Sequence, residues 1–188
     1  MANKIDIEKS LEVLNSGGVI LYPTDTVWGI GCDATDSTAV ERIFIIKRRN
    51  EAQSLLTLVD SLDMLAEYVD DIPHIAIQLM KEATRPLSVI YPKAKNLATN
   101  LIAADGSIGI RIVQEPFCQQ LIKAFGKPVV STSANISGEP APDIFDKISG
   151  EIRDAVDYIV RWRQDDRQPA TASSIIKLNG DGSYQTLR

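Results

Sequence analysis

The sequence predicts an α/β protein of the α+β type, a twisted mixed β-sheet with helices packed on it. Three observations carry this. Short apolar runs rich in Val and Ile, such as Val19-Ile20-Leu21-Tyr22 and Val129-Val130, alternate with longer stretches of helical period. The two kinds of segment follow each other along the whole chain, the pattern of helices covering a sheet. No repeat, low-complexity tract or linker interrupts the 188 residues, so one domain over 1–188 is expected.

Taken in order, Ile7, Leu11 and Leu14 recur at helical spacing over residues 6–15, and Gly17-Gly18 ends that helix. Val19 to Tyr22 is a buried strand stopped by Pro23. A helix capped by Asp36 or Ser37 runs to about Lys47, carrying Val40, Ile43 and Phe44. Leu55 to Val59 reads as a strand, and 62–69 and 73–84 as helices. Leu87 to Tyr91 and Ile108 to Val113 are strands, and Pro116 to Phe125 is a helix ended by Gly126. Val129 to Thr132 is a strand; residues 143–149 are read as helical. Tyr158 to Trp162, Ser173 to Leu178 and Tyr184 to Leu187 are the last strands, with Asn179-Gly180-Asp181-Gly182 as a hairpin turn. Arg163 to Ala170 is the longest candidate loop.

The net charge of -5 argues against tight non-specific nucleic-acid binding, which rests on phosphate neutralisation. The polar N-terminus has no apolar signal core, and no apolar run reaches the ~20 residues of a membrane span. A cytoplasmic protein with no membrane partner is expected. Cys32 and Cys118 form no CxxC pair and read as packed, reduced thiols.

Five stretches could carry chemistry. Pro23-Thr24-Asp25-Thr26-Val27-Trp28-Gly29-Ile30-Gly31 follows an apolar strand, where such folds place ligand loops, and it reads equally as a Pro/Asp/Gly turn. It lacks the Gly-Lys-Ser/Thr ending of a P-loop. Lys47-Arg48-Arg49 ends a helix, where cations complement the dipole or face ligand phosphates. In Ser107-Ile108-Gly109-Ile110-Arg111, the Arg after an apolar run is expected to leave the core at the strand's end. Ser131 to Gly138 offers hydroxyls, backbone N–H groups and an Asn to anionic oxygens. Ser173-Ser174-Ile175 places hydroxyls at a strand start. The lone His74, beside Pro73, reads as a surface or capping residue. With one histidine, neither a Ser/His/Asp nor a Cys/His arrangement stands out. No metal-ligand cluster is evident.

These stretches, in this order, resemble the YrdC/TsaC family. Residues 23–31 match its Pro-Thr-Asp/Glu-Thr-x-Trp/Tyr-Gly-Ile/Leu-Gly loop, and Lys47-Arg48-Arg49 its Lys-x-Arg. Gly109-Ile110-Arg111 matches its strand end, residues 132–138 its Ser/Thr-Ser-Ala-Asn-x-Ser-Gly loop, and Ser173-Ser174-Ile175 its late Ser-Ser/Thr-Ile. The resemblance implies a YrdC-like fold with a concave ligand-binding face. It implies formation of threonylcarbamoyl-AMP and pyrophosphate from L-threonine, bicarbonate and ATP with Mg2+, for a tRNA modification completed by downstream threonylcarbamoyl-transfer proteins. tRNA itself is a further implied partner. Thr26, Arg111 and Ser173 would bind threonine; Lys47, Arg49, Gln53, Ser107, Ser133, Asn135 and Arg188 would bind ATP. Lys47, Arg49 and Arg111 would carry catalysis, with Thr24 and Ser131 as neighbours and no metal-ligating side chain assigned.

The chain departs from the family where a Pro-rich stretch and a histidine are usual. Here Asn50, Gln53, Ser54 and, at the histidine position, Leu58 stand instead. Two other readings therefore accompany the synthase: a paralogue of altered specificity, and a double-stranded RNA-binding module, which the pI of about 4.9 opposes.

Overall fold

The computed structural model describes residues 4–50 and 55–188. Its strands are β1 (Ile20–Tyr22), β2 (Gly29–Gly31), β3 (Leu56–Val59), β4 (Leu87–Tyr91), β5 (Ile108–Ile112), β6 (Val129–Ser133), β7 (Tyr158–Ile159), β8 (Ser174–Leu178) and β9 (Tyr184–Thr186). The helices are α1 (Lys4–Asn15), α2 (Ser37–Lys47), α3 (Leu62–Tyr68), α4 (His74–Glu82), α5 (Pro116–Phe125) and α6 (Gly150–Ala155). The strands form one sheet in the order β7-β1-β2-β6-β3-β5-β4-β8-β9. The pairs β1–β7, β3–β5 and β4–β8 are parallel and the others antiparallel, so the sheet is mixed as expected.

Helix ends follow local chemistry. Asp36 caps α2 through Thr38 N and Ala39 N, and Glu115 caps α5 through Cys118 N, with Pro116 in the first turn. Gly126 ends α5 in the left-handed region at φ 71°.

Alternation along the strands divides the sheet into two faces. Leu21, Ile30, Val59, Val89, Ile110, Val130 and Ile176 pack in one cluster with Val40, Ile43 and Phe44 of α2, Leu65 of α3 and Ala76 of α4. On the other face, Ile20, Tyr22, Leu58 and Val129 pack with Leu14 of α1 and Phe117, Leu121 and Ile122 of α5. These two helices cover only part of that face. Gly29, Leu56, Ile90, Gly109 and Ser131 continue it without a helix above them, and they line a cavity instead.

Three expectations are corrected. Gly29-Ile30-Gly31, read as the end of a polar loop, forms β2. Ile30 fills the core, and a Cβ on Gly31 would lie 2.2 Å from Val130 O, so the close approach to β6 requires the missing side chain. The helix read at 143–149 is only a short 3-10 turn at Phe145–Lys147; the helix is α6, capped by Ser149. The strand read at 158–162 pairs only over Tyr158–Ile159, because Asp6 of α1 accepts the N–H groups of Arg161 and Trp162.

Candidate functional site

The cavity holds about 300 Å³ on the uncovered part of the sheet. Its deepest charge is Arg111. The sequence places this Arg at a strand end on its way out of the core, yet Ile112 still belongs to β5 and Arg111 is 3% exposed. Its guanidinium lies between two walls. On one side, Nη2 lies 3.0 Å from Asp25 Oδ1 and donates to Thr26 Oγ1 at 3.2 Å. On the other, Nη1 donates to Ser88 Oγ at 3.3 Å, and Ser88 Oγ lies 2.9 Å from Ser173 Oγ. The Asp25 contact is a charge contact: Oδ1 receives no aligned hydrogen bond, while Oδ2 accepts Gln114 N at 3.1 Å.

The loop after β1 is built to hold Thr26 against this Arg. Thr24 Oγ1 accepts Thr26 N at 3.0 Å, lies 2.9 Å from Thr26 Oγ1 and donates to Val27 O at 2.8 Å. From behind, Arg163 Nη1 donates to Thr24 O and Cys118 Sγ to Pro23 O. Burial, then nearby Glu115 and Asp25, pushes the Cys118 thiol well up, and burial does the same for Cys32, so both are inert packed thiols.

At the mouth stand Arg49, Ser133 and Arg188, which line the cavity. Arg188 Nε donates to Ser173 O at 2.9 Å. Burial lowers the Arg49 pKa. Thr26, Arg49, Arg111, Ser131, Ser133, Ser173 and Arg188 thus converge on one cavity from six separate stretches of chain.

Thr24, behind Thr26, does not line it, and neither do three further residues selected from the sequence. Lys47 is 1% exposed, and its Nζ donates to Ser133 O and, at 2.7 Å, to Asn135 O. It therefore braces the 133–135 turn from behind. Burial, then the neighbouring Arg49 charge, lowers its pKa to about 8. Asn135 spends its amide on Ile136 O and Glu139 O, closing the turn. Ser107 bonds Asp105 Oδ1 through both its N and Oγ. That pair of bonds, with Lys177, holds the Asp105 carboxyl well below its usual range. Gln53, together with Ser54, lies outside the described residues.

A family model built on Sua5, YciO and YrdC proteins and described as telomere recombination matches residues 12–188. The chain belongs to the Sua5/YciO/YrdC family. The threonylcarbamoyl-AMP synthase of Pseudoalteromonas translucida is 37% identical over 145 residues, 74% of this chain and 76% of that protein. The protein of the same name from Photobacterium profundum is 29% identical over 169 residues, 88% of this chain and 91% of that protein. Among solved structures, E. coli YciO matches with TM-score 0.85 at 26% identity, covering 99% of this chain and 89% of that one. P. abyssi Sua5 complexed with L-threonine matches with TM-score 0.85 at 26% identity. The match covers 97% of this chain and 53% of that protein, so the chain spans about half its length. The family and fold class expected from the motifs are both met.

Within the Sua5/YciO/YrdC fold, Leu58 is not a cavity residue. It is fully buried with Tyr22, Phe117 and Val129 under α5, two positions along β3 from the lining residue Leu56. Sequence reading missed Ser88. Its signal was faint: one hydroxyl inside the apolar run Leu87-Ser88-Val89-Ile90-Tyr91.

Proposed function

We propose that this chain is an L-threonylcarbamoyladenylate synthase. The observation that carries the reading is a buried guanidinium, Arg111, flanked by the hydroxyls of Thr26 and Ser88, with Ser173 next to Ser88, in a cavity whose mouth holds Arg49 and Arg188. Arg111 shares Nη2 with Asp25 but keeps a buried Nε without a hydrogen-bond partner, which suits one further carboxylate with polar neighbours, and the arginines at the mouth suit a polyphosphate.

Arg111 and Ser173 would hold the threonine carboxylate, and Thr26 would accept from a threonine donor. Arg49, Arg188 and Ser133 would hold the nucleotide. Lys47 and Asn135 would shape the 133–135 turn against it, and Ser107 would stiffen the start of β5. The threonine amine joins bicarbonate carbon as water leaves, giving a carbamate. A carbamate oxygen then forms a bond to the α-phosphorus of ATP as the bond to pyrophosphate breaks. The substrate supplies the nucleophile, so rate comes from alignment and from cations facing developing phosphate charge. Among the described residues, no group of three or more His, Cys, Asp or Glu side chains could hold a metal ion. Magnesium would enter with the substrate as Mg-ATP.

The product is a reactive mixed anhydride, so we place the protein before enzymes that transfer the threonylcarbamoyl group to tRNA, in the cytoplasm. Among the described residues no helix is long and apolar enough to cross a membrane.

The test is pyrophosphate release from Mg-ATP with and without L-threonine and bicarbonate. Release that requires both is expected. Release indifferent to threonine, or none while ATP still binds, overturns the proposal.

A further inference from the structure

Ser88 is fully buried in β4 and is not among the residues lining the cavity, yet its hydroxyl touches two residues that are. Its bonds have directions that chemistry fixes. A guanidinium only donates, so Ser88 Oγ accepts from Arg111 Nη1. Its hydrogen must then be placed. Ser173 Oγ, at 2.9 Å, is the remaining hydrogen-bond partner of Ser88. Were Ser173 the donor, the Ser88 hydrogen would be buried with no acceptor, a costly arrangement. Ser88 therefore donates to Ser173, and the Ser173 hydrogen is left for whatever occupies the cavity that Ser173 lines.

The opposite wall resolves the same way with the opposite result. Thr26 Oγ1 accepts from Arg111 Nη2. Thr24 Oγ1 uses its hydrogen on Val27 O, so it can only accept from Thr26. The Thr26 hydrogen is spent inside the loop, and Thr26 offers the cavity its one remaining lone pair.

We propose that two buried hydroxyls beside Arg111 set the hydrogen-bond polarity of the cavity: Ser88, oriented by Arg111, makes Ser173 a donor, and Thr24, oriented by Val27 O, makes Thr26 an acceptor. Ser88 is thus a positioning residue for amino-acid recognition. This rests on reading the cavity as an amino-acid site. The arrangement fits a ligand with a carboxylate at the Arg111–Ser173 end and a hydroxyl or ammonium donor at the Thr26 end. It rejects one whose polar ends are both acceptors.

The test is calorimetric titration of L-threonine into the protein saturated with a non-hydrolysable ATP analogue, for wild type, Ser88→Ala and Ser88→Thr. Affinity for the analogue and melting temperature are followed beside it. Ser88→Ala is expected to weaken threonine by about tenfold, the scale of one oriented hydrogen bond, with the analogue bound as before. Ser88→Thr, which keeps the hydroxyl, is expected to recover most of the loss. Wild-type threonine affinity in Ser88→Ala overturns the proposal, as does a loss shared equally by both ligands. Should Ser88→Ala not fold, Thr24→Val against Thr24→Ser carries the same comparison on the other wall. If wild type binds a different amino acid and not threonine, the synthase reading falls, and the same comparison with that amino acid decides the polarity. If it binds no amino acid, both fall.

Discussion

Lys47 and Asn135 are joined by a hydrogen bond of 2.7 Å from the ammonium to the main-chain oxygen, across the inside of the turn that borders the cavity. A cation held this way, with its pKa lowered to about 8 from an ordinary 10.5, makes stability depend on pH with a definite sign. The folded chain holds this proton less tightly than the unfolded chain. Below pH 8 the folded state bears the full cost of a buried charge, and between about 8 and 10.5 that cost is relieved. The melting temperature of wild type minus that of Lys47→Met is expected to rise across this window. A difference that falls with pH would refute the lowered pKa.

Arg111 and Asp25 predict a separation of stability from recognition. Arg111→Ala leaves the nearly buried Asp25 carboxylate without its cation, and breaking a buried pair costs about 3–5 kcal/mol. Denaturant unfolding should show that loss and should show most of it restored in the double variant Arg111→Ala, Asp25→Asn. Threonine use should not return in the double variant. Its KM is expected to rise about 100-fold in both, the scale of one charge-assisted contact, while that of ATP changes little. Arg49→Ala should give the reverse pattern.

Gly31 and Gly109 should behave differently on substitution. A Cβ at Gly31 meets Val130 O at 2.2 Å and Tyr22 Cε1 at 2.8 Å, both fixed in the sheet. Gly31→Ala is expected to destabilise by about 3 kcal/mol through strand separation. The nearest atom to a Cβ at Gly109 is Leu56 Cδ2 at 2.5 Å, the end of a side chain that can turn. Gly109→Ala should fold nearly as well, and because Gly109 and Leu56 both line the cavity it should weaken nucleotide or threonine binding in titration.

Asp6, outside the cavity, predicts an effect that reaches its wall. Fully buried in α1, it accepts Tyr158 Oη, Arg161 N and Trp162 N. Asp6→Ala would strand these donors at about 1–3 kcal/mol each. The segment it anchors leads into Arg163, which holds Thr24 O, so hydrogen exchange in residues 158–166 and in the 23–27 loop should rise together.

Much of this architecture was legible in the sequence, where one force dominated locally. The helix from Ser37 to Lys47 announces itself through the Asp36 cap and apolar period, and Pro116 to Phe125 through its Pro and Gly ends. The strand at Gly29–Gly31 was not legible, because its cause lies across the sheet at Val130. The site was read in part. Thr26 and Ser173 stand among other hydroxyls, Arg111 is the one charge in an apolar run, and the three do converge. Lys47 could be read as a cation but not as a brace, because its direction depends on Ser133 and Asn135, far along the chain. Ser88 was barely legible, since a hydroxyl in an apolar strand has meaning only once the Arg beside it is known.

The strand order also governs how the chain reaches its working form. Thr26 and Arg111 are 85 residues apart in sequence, as are Ser88 and Ser173, and the bond from Val19 to Asp157 spans 138. Closures this long are slow and come late in a conformational search. A nascent chain on the ribosome holds Arg111 and Thr26 well before Ser173 has been made, and the cavity wall it completes cannot exist until then. Recovery of ligand binding during refolding should therefore coincide with the final, slowest phase, making the cavity a reporter of finished topology.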